Sequence, residues 1–236
     1  VVKDAAGHPT GHVSIGLATS TAIVLTVPFM VRAFKTLPEI RIEIHESSSS
    51  YLNELVINGR LDIGILFLSQ PSKGLRIKTF LTESLYLVAA PAKKKEDATV
   101  SLLELSKYPL LMSSKPNTVR VRVEEAFEQS QLTFKTHAEI NSTTALKSMA
   151  EAGLGHTVLP WSAIAEEVNS GRLNARKIVK PEIFRAASLC VSDSMPLSFA
   201  AQCVSELLLE TIYELVSNGR WSGVRLNDVT SSEVLQ

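Results

Sequence analysis

Gly11-His12-Val13-Ser14-Ile15-Gly16-Leu17-Ala18-Thr19-Ser20-Thr21 carries a short alternating strand straight into a cluster of hydroxyls. Val13, Ile15 and Leu17 recur at period two, as a strand burying one face requires, and Gly16 places no side chain between the last two. Thr19, Ser20 and Thr21 are good N-cap residues for the apolar run that follows, so the stretch predicts strand, cap and then helix from Ala22 to Thr36. Free N–H groups and the positive dipole end of such a helix suit an anion, whether carboxylate, sulfate or phosphate. An ordinary cap with nothing bound fits these residues equally well.

The same grammar continues outward. Ile40, Ile42 and Ile44 alternate with charged neighbours as a strand, and a helix follows from about Tyr51 to Asn58. Any of Ser47 to Ser50 can cap it, and Gly59 stops it. Leu61 to Phe67 is a nearly continuous apolar run, as expected of a central parallel strand covered on both faces. Leu75 to Phe80 and Leu85 to Ala90 read as two strands. Beyond Pro91 the pattern repeats: strands at Tyr108–Met112, Lys135–Ile140, Gly155–Leu159 and Phe184–Val191 alternate with helices at Ser101–Leu105, Thr118–Gln131, Thr143–Ala152 and Pro160–Val168. A long helix, Leu197 to Val216, ends at Asn218-Gly219. The fold class is α/β with two sheets of similar size, and the stretch from Trp221 to Gln236, lacking a clear period, reads as loosely attached.

Composition excludes several functions. With 45% hydrophobic and 20% charged residues over 236 positions, the chain builds its own core without staples. A net charge of zero gives no global attraction to nucleic acid or to acidic membranes. No apolar run is long enough to span a bilayer. Cys190 and Cys203, the only cysteines, are expected as idle thiols in a reducing, cytoplasmic setting. His8, His12, His45, His137 and His156 show no metal-ligand spacing, so no metal and no cofactor are expected. Neither cysteine has a histidine nearby in sequence and there is no Gly-x-Ser-x-Gly elbow, so no catalytic residue is assigned and an enzyme is the poorest hypothesis.

Four motifs in register resemble a family: Gly11-x-Val13-x-Ile15-Gly16, Phe34-x-x-Leu37-Pro38-Glu39-Ile40, Gly59-Arg60-Leu61-Asp62-Ile63-Gly64-Ile65, and Ala152-Gly153-Leu154-Gly155 followed by Val158-Leu159-Pro160. They look like the effector-binding domain of LysR-type transcriptional regulators. Tyr108-Pro109-Leu110-Leu111 and Arg120 to Phe127 are most similar to the nitrogen-assimilation-control and cysteine-regulator branch. The resemblance implies two Rossmann-like subdomains of the type 2 periplasmic-binding-protein kind, joined by two crossover segments near Ala90–Ala92 and Val191–Ser194. Residues 1–10 are then the end of a linker, 11–90 with 192–218 subdomain I, 91–191 subdomain II, and 219–236 a tail. It implies a small, anionic effector in the cleft between subdomains, and an N-terminal winged helix-turn-helix that this sequence lacks, through which DNA is bound. An exported solute-binding protein of a transporter shares the fold and is the alternative.

Matched to the family's pocket, Thr19, Ser20 and Thr21 hold the anionic end of the ligand. Ser113, Ser114, Asn117 and Thr118 open one facing helix, Asn141 and Thr143 another, and Phe67 adds an apolar wall. The plainer role for Ser114, Asn117 and Asn141 is capping. Arg120 matches a family arginine position, with ion pairing on its own helix as the competing role, and His156 departs from the family's small apolar residue, reading as a half-buried, hydrogen-bonded histidine. The first helix is apolar almost all round, and the last has a wide apolar face. With the family's geometry this assigns a homodimer interface to Val24, Val27, Val31, Leu208 and Ile212, and a tetramer to the full-length protein. Burial between layers of one chain is the competing account.

Overall fold

The computed structural model describes residues 9–68, 72–92 and 97–227. They divide into two compact units: residues up to Thr82 together with those from Ala186 onward, and Glu83–Arg185.

The first unit is built on β1 (Gly11–Ala18), β2 (Ile40–Ser47) and β3 (Ile63–Phe67), with β1 in the middle and parallel to both neighbours. Helix α1 (Thr19–Thr36) connects β1 to β2, and α2 (Ser49–Ile57) connects β2 to β3. Val13, Ile15 and Leu17 are fully buried, and Ser14, Gly16 and Ala18 on the opposite face are buried too, because α1 and α2 cover the two sides. Gly16 is required by closeness: a Cβ there would lie 2.9 Å from a Leu61 methyl and 3.1 Å from one of Leu52. Gly59, at φ +64°, ends α2 in the left-handed conformation. The last helix, α7 (Phe199–Ser217), packs beside α1; Leu25, Phe29 and Ala33 share a core with Leu208, Ile212 and Leu215. Arg32 reinforces that contact, bonding Glu214 at 2.8 Å and Glu210 at 3.0 Å.

The second unit repeats the plan. Strand β6 (Pro109–Met112) lies between β7 (Lys135–Glu139) and β8 (His156–Pro160), parallel to both. Helix α4 (Thr118–Gln129) connects β6 to β7, and α5 (Thr143–Glu151) connects β7 to β8. Helices α3 (Leu102–Leu105) and α6 (Trp161–Asn169) complete the layers. One sheet face buries Leu85, Leu110, Val123 and Phe127; the other buries Leu111, Leu146, Ala150 and Ile164.

Two strands serve both units, and through them the strands form one mixed sheet where two were expected. Leu75 to Ala89 is a single strand, β4, where two were expected, and β10 spans Phe184–Ser192. The polar step Thr82-Glu83-Ser84 resembles a break but is strand. The chain therefore crosses between units at Thr82/Glu83 and Arg185/Ala186, inside paired strands, earlier than the expected crossovers near Ala90–Ala92 and Val191–Ser194. At that step Glu83 is fully buried; Arg185 donates to its Oε2 from Nε at 3.1 Å and Nη2 at 2.8 Å, and the Ser162 hydroxyl donates to Oε1. Burial pulls the Arg185 guanidinium below its usual value, and the Glu83 charge opposes that pull.

Three further strands escaped the sequence pattern: β5 (Thr99–Ser101), β9 (Asn174–Val179) and β11 (Val224–Leu226). The expectation of a loose tail fails for its described part. Trp221 is 1% exposed, its backbone N–H donates to the Leu215 carbonyl, and β11 pairs with β4. One buried indole anchors this segment, and a single residue leaves no periodicity to read; 228–236 lie outside the described residues. Cys190 and Cys203 are not in a disulfide, and burial pushes the Cys190 thiol up to about 12.

Candidate functional site

In each unit the middle parallel strand sends its outgoing connection to one side and receives the next strand on the other. In the first unit β1 lies between β2 and β3; in the second β6 lies between β7 and β8. Connections diverging at the carboxyl end of such a strand leave a crevice lined by helix starts, the usual ligand position in open α/β sheets. The residues singled out in the sequence lie at these two ends.

In the first unit α1 begins directly after β1, with no loop between. The expectation that one of Thr19, Ser20 or Thr21 caps the helix is corrected: Ala18 occupies the cap position, no side chain caps the helix, and the hydroxyls form its first turn. Capping needs the residue just before the first helical one, and three consecutive hydroxyls do not fix which that is. Ser20 is 6% exposed, Thr21 is fully buried, and the Thr21 hydroxyl has no hydrogen-bond partner. No acidic residue stands in this first turn. Phe67, expected as an apolar wall, is a core residue at 1% exposure; its backbone N–H donates to the Ser49 hydroxyl at 3.0 Å. Ser49 thus joins this end of the sheet, unnoticed in the sequence because it was one of four adjacent serines.

In the second unit Asn117 caps α4, its Oδ1 accepting from Val119 N–H at 2.9 Å and more weakly from Arg120 N–H. Asn141 does not cap. Its Oδ1 accepts from the Ser114 N–H and hydroxyl, both at 2.9 Å, and its Nδ2 donates back to the hydroxyl at 2.7 Å, locking the loop after β6 to the loop after β7. Ser142 is the cap of α5, accepting from Ala145 N–H. Ser113 and Thr143 are partly exposed beside these loops and Thr118 is buried in the first turn of α4. Two cations stand near, and both are engaged: Glu124 takes the Lys115 ammonium at 2.6 Å and the Arg120 Nε at 2.6 Å, and Glu139 lies 3.4 Å from the Arg120 Nη1. Burial acts to raise the Glu124 carboxyl, but these two bonds outweigh it and hold it below the ordinary carboxylate value. Any anion here therefore meets N–H groups and hydroxyls, with the nearby charges already balanced.

A match to the LysR substrate binding domain model runs over residues 6–212. The chain belongs to this family. Over 203 residues this LysR substrate-binding domain is 34% identical to the nitrogen assimilation regulatory protein nac of Klebsiella aerogenes, covering 86% of the chain and 66% of that protein. It is 32% identical to the nac protein of Escherichia coli K12, covering 89% of the chain and 69% of that protein. The chain thus spans about two thirds of the length of both relatives. Among solved structures it is similar to the effector-binding domain of QuiR in complex with shikimate (TM-score 0.78, 13% identity, 87% of this chain and 99% of that one). It is also similar to the regulatory domain of CcmR from Synechocystis PCC6803 in complex with 2-PG (TM-score 0.76, 18% identity, 86% and 98%). The fold is of the type 2 periplasmic-binding-protein kind. The curated relatives are transcriptional regulators, which disfavours the exported solute-binding reading.

The interface residues separate in this LysR substrate-binding domain. Leu208 and Ile212 are fully buried in the core of the first unit and Val24 packs partly against it, so α7 offers no apolar surface at those positions. The face α7 turns to solvent carries Glu206, Glu210 and Glu214. On α1, Val27 is 69% and Val31 51% exposed, in line with Ile23 and Phe34. Among the described residues no group of three or more His, Cys, Asp or Glu is placed to hold a metal, and no helix is long and apolar enough to cross a membrane.

Proposed function

We propose that this domain senses a small anion, held at the first turn of α1, and relays its binding to a DNA-binding segment outside the sequence given. Supporting it is Thr21: a fully buried hydroxyl without a partner, in the first turn of a helix that no side chain caps. Buried polar groups are nearly always satisfied, and an anion accepting from this hydroxyl at the positive end of the helix supplies what is missing. Ser114, Asn117 and Asn141, at the corresponding end of β6, are a separate set of polar groups within the second unit. Support also comes from the structural neighbours QuiR and CcmR, solved in complex with shikimate and 2-PG. Regulation then needs only differential affinity for two states, about 1.4 kcal/mol for each tenfold shift in population. The exposed stripe on α1 is the self-association surface of the same regulator.

The test is a titration followed by calorimetry and melting temperature with sulfate, phosphate and a panel of small carboxylates. A saturable rise in melting temperature that Thr21→Val abolishes is expected. Unchanged binding in that variant, or no response to any of these anions, overturns the assignment.

A further inference from the structure

The segment after α7 lies beyond residue 212, where the family match ends. Two things hold it to the first unit. Trp221 is buried in one core cluster with Phe80, Leu81, Leu209 and Leu215, and Val224 packs partly against the same cluster. β11 pairs with β4, and the Asn227 N–H donates to the Phe80 carbonyl at 2.9 Å. Around the indole the segment stays at the surface: Asn218, Gly219, Arg220, Ser222, Arg225 and Leu226 are all exposed. Gly219 (φ +74°) and Gly223 (φ +71°) bracket Trp221, and a Cβ at Gly219 would meet nothing within 4 Å. Gly219 therefore turns the chain through its own backbone freedom, with no neighbour crowding it.

One enclosed aromatic anchor beside a short run of strand pairing is how a sheet edge recognises an extended peptide: main-chain bonds hold the strand, and a pocket selects the side chain. Here the peptide is a later stretch of the same chain. Lifted away, it would uncover the β4 groups that pair with β11 together with the pocket of the indole. An uncovered strand edge is a template for another strand. A second copy of this chain carries the segment that fits both the edge and the pocket.

We propose that β4 and the Trp221 pocket form a strand-binding groove in the first unit, closed by residues 219–227 of the same chain and able to take those residues from a second copy. A short tether gives the chain's own segment an effective concentration of about a millimolar, so closure within one chain is the resting arrangement and exchange between copies the alternative one. The groove involves neither Thr21 nor the stripe on α1. Its failure and that of the proposed function are therefore separate events.

The test uses the full chain carrying Val31→Glu, which removes association through the α1 stripe, with a protease site inserted between Asn218 and Gly219. Cutting after folding leaves the segment in place and removes its tether. The probe is a fluorescein-labelled peptide of residues 219–227. The cut chain should take it up saturably, and the uncut chain about tenfold more weakly or less, because its own segment competes. A peptide with Trp221→Ala should also bind about tenfold more weakly or less. No uptake by the cut chain, equal uptake by cut and uncut chains, or no loss with the Trp221→Ala peptide overturns the groove. For the second copy, the uncut Val31→Glu chain refolded at rising concentration should give a growing share of dimer in sedimentation, which excess peptide suppresses. A chain that is monomeric at every concentration, or a dimer that the peptide leaves unaltered, overturns the second copy as occupant.

Discussion

Thr21 and Glu83 are both fully buried and polar, and their opposite circumstances predict opposite responses to removal. The Thr21 hydroxyl lacks a partner, so Thr21→Val keeps the shape, removes an unsatisfied group and leaves ligand-free stability unchanged or about 1 kcal/mol higher, as urea unfolding should report. A loss of more than that assigns the hydroxyl a structural partner. The Glu83 carboxylate is held by Arg185 and Ser162. Arg185→Leu strands that charge and should cost about 3–5 kcal/mol, while Glu83→Leu with Arg185→Leu should recover most of it. Asn117 was legible as a cap because it directly precedes the helix it caps. Asn141 was not, since its partner Ser114 lies 27 positions away and no local pattern encodes that pairing.

Helix α1 combines two faces that a list of apolar residues cannot separate. Leu25, Phe29 and Ala33 point into the core, and Ile23, Val27, Val31 and Phe34, at spacings of four, four and three, form a stripe toward solvent. Because Val31 is 51% exposed, Val31→Glu should leave the melting temperature of the isolated chain unchanged and shift sedimentation from dimer to monomer. Unfolding instead would show that the stripe is needed within the chain. The segment after α7 teaches the converse. Trp221→Ala should cost about 3–5 kcal/mol in denaturant unfolding, because the indole is fully enclosed by the first unit's core. Periodicity found the long helices and the central strands, where many residues repeat one message. It missed β5, β9 and β11, which are short or mix Arg and Lys into their faces, and it split β4 at a polar step that a buried ion pair later explains.

At the scale of the molecule, the alternation of strand and helix disclosed two α/β units, and four spaced motifs disclosed the family; that the strands form one mixed sheet, and where the chain crosses, needed the strand pairings themselves. Those crossings make Glu83–Arg185 one uninterrupted stretch of chain with two buried layers of its own. A fragment covering that stretch, retaining the Glu83–Arg185 pair, should fold with a cooperative melt and native-like circular dichroism; a non-cooperative melt would show that it depends on the rest of the chain. The first unit has no such autonomy, since α1 near the beginning shares its core with α7 near the end. On the ribosome this imposes a schedule. At about 5–20 residues per second, the inward face of α1 waits roughly ten to thirty seconds for α7 to be made, while the intervening unit has already been completed. During that interval Leu25, Phe29 and Ala33 are sticky surface on a nascent chain, the kind of surface chaperones bind, until α7 emerges.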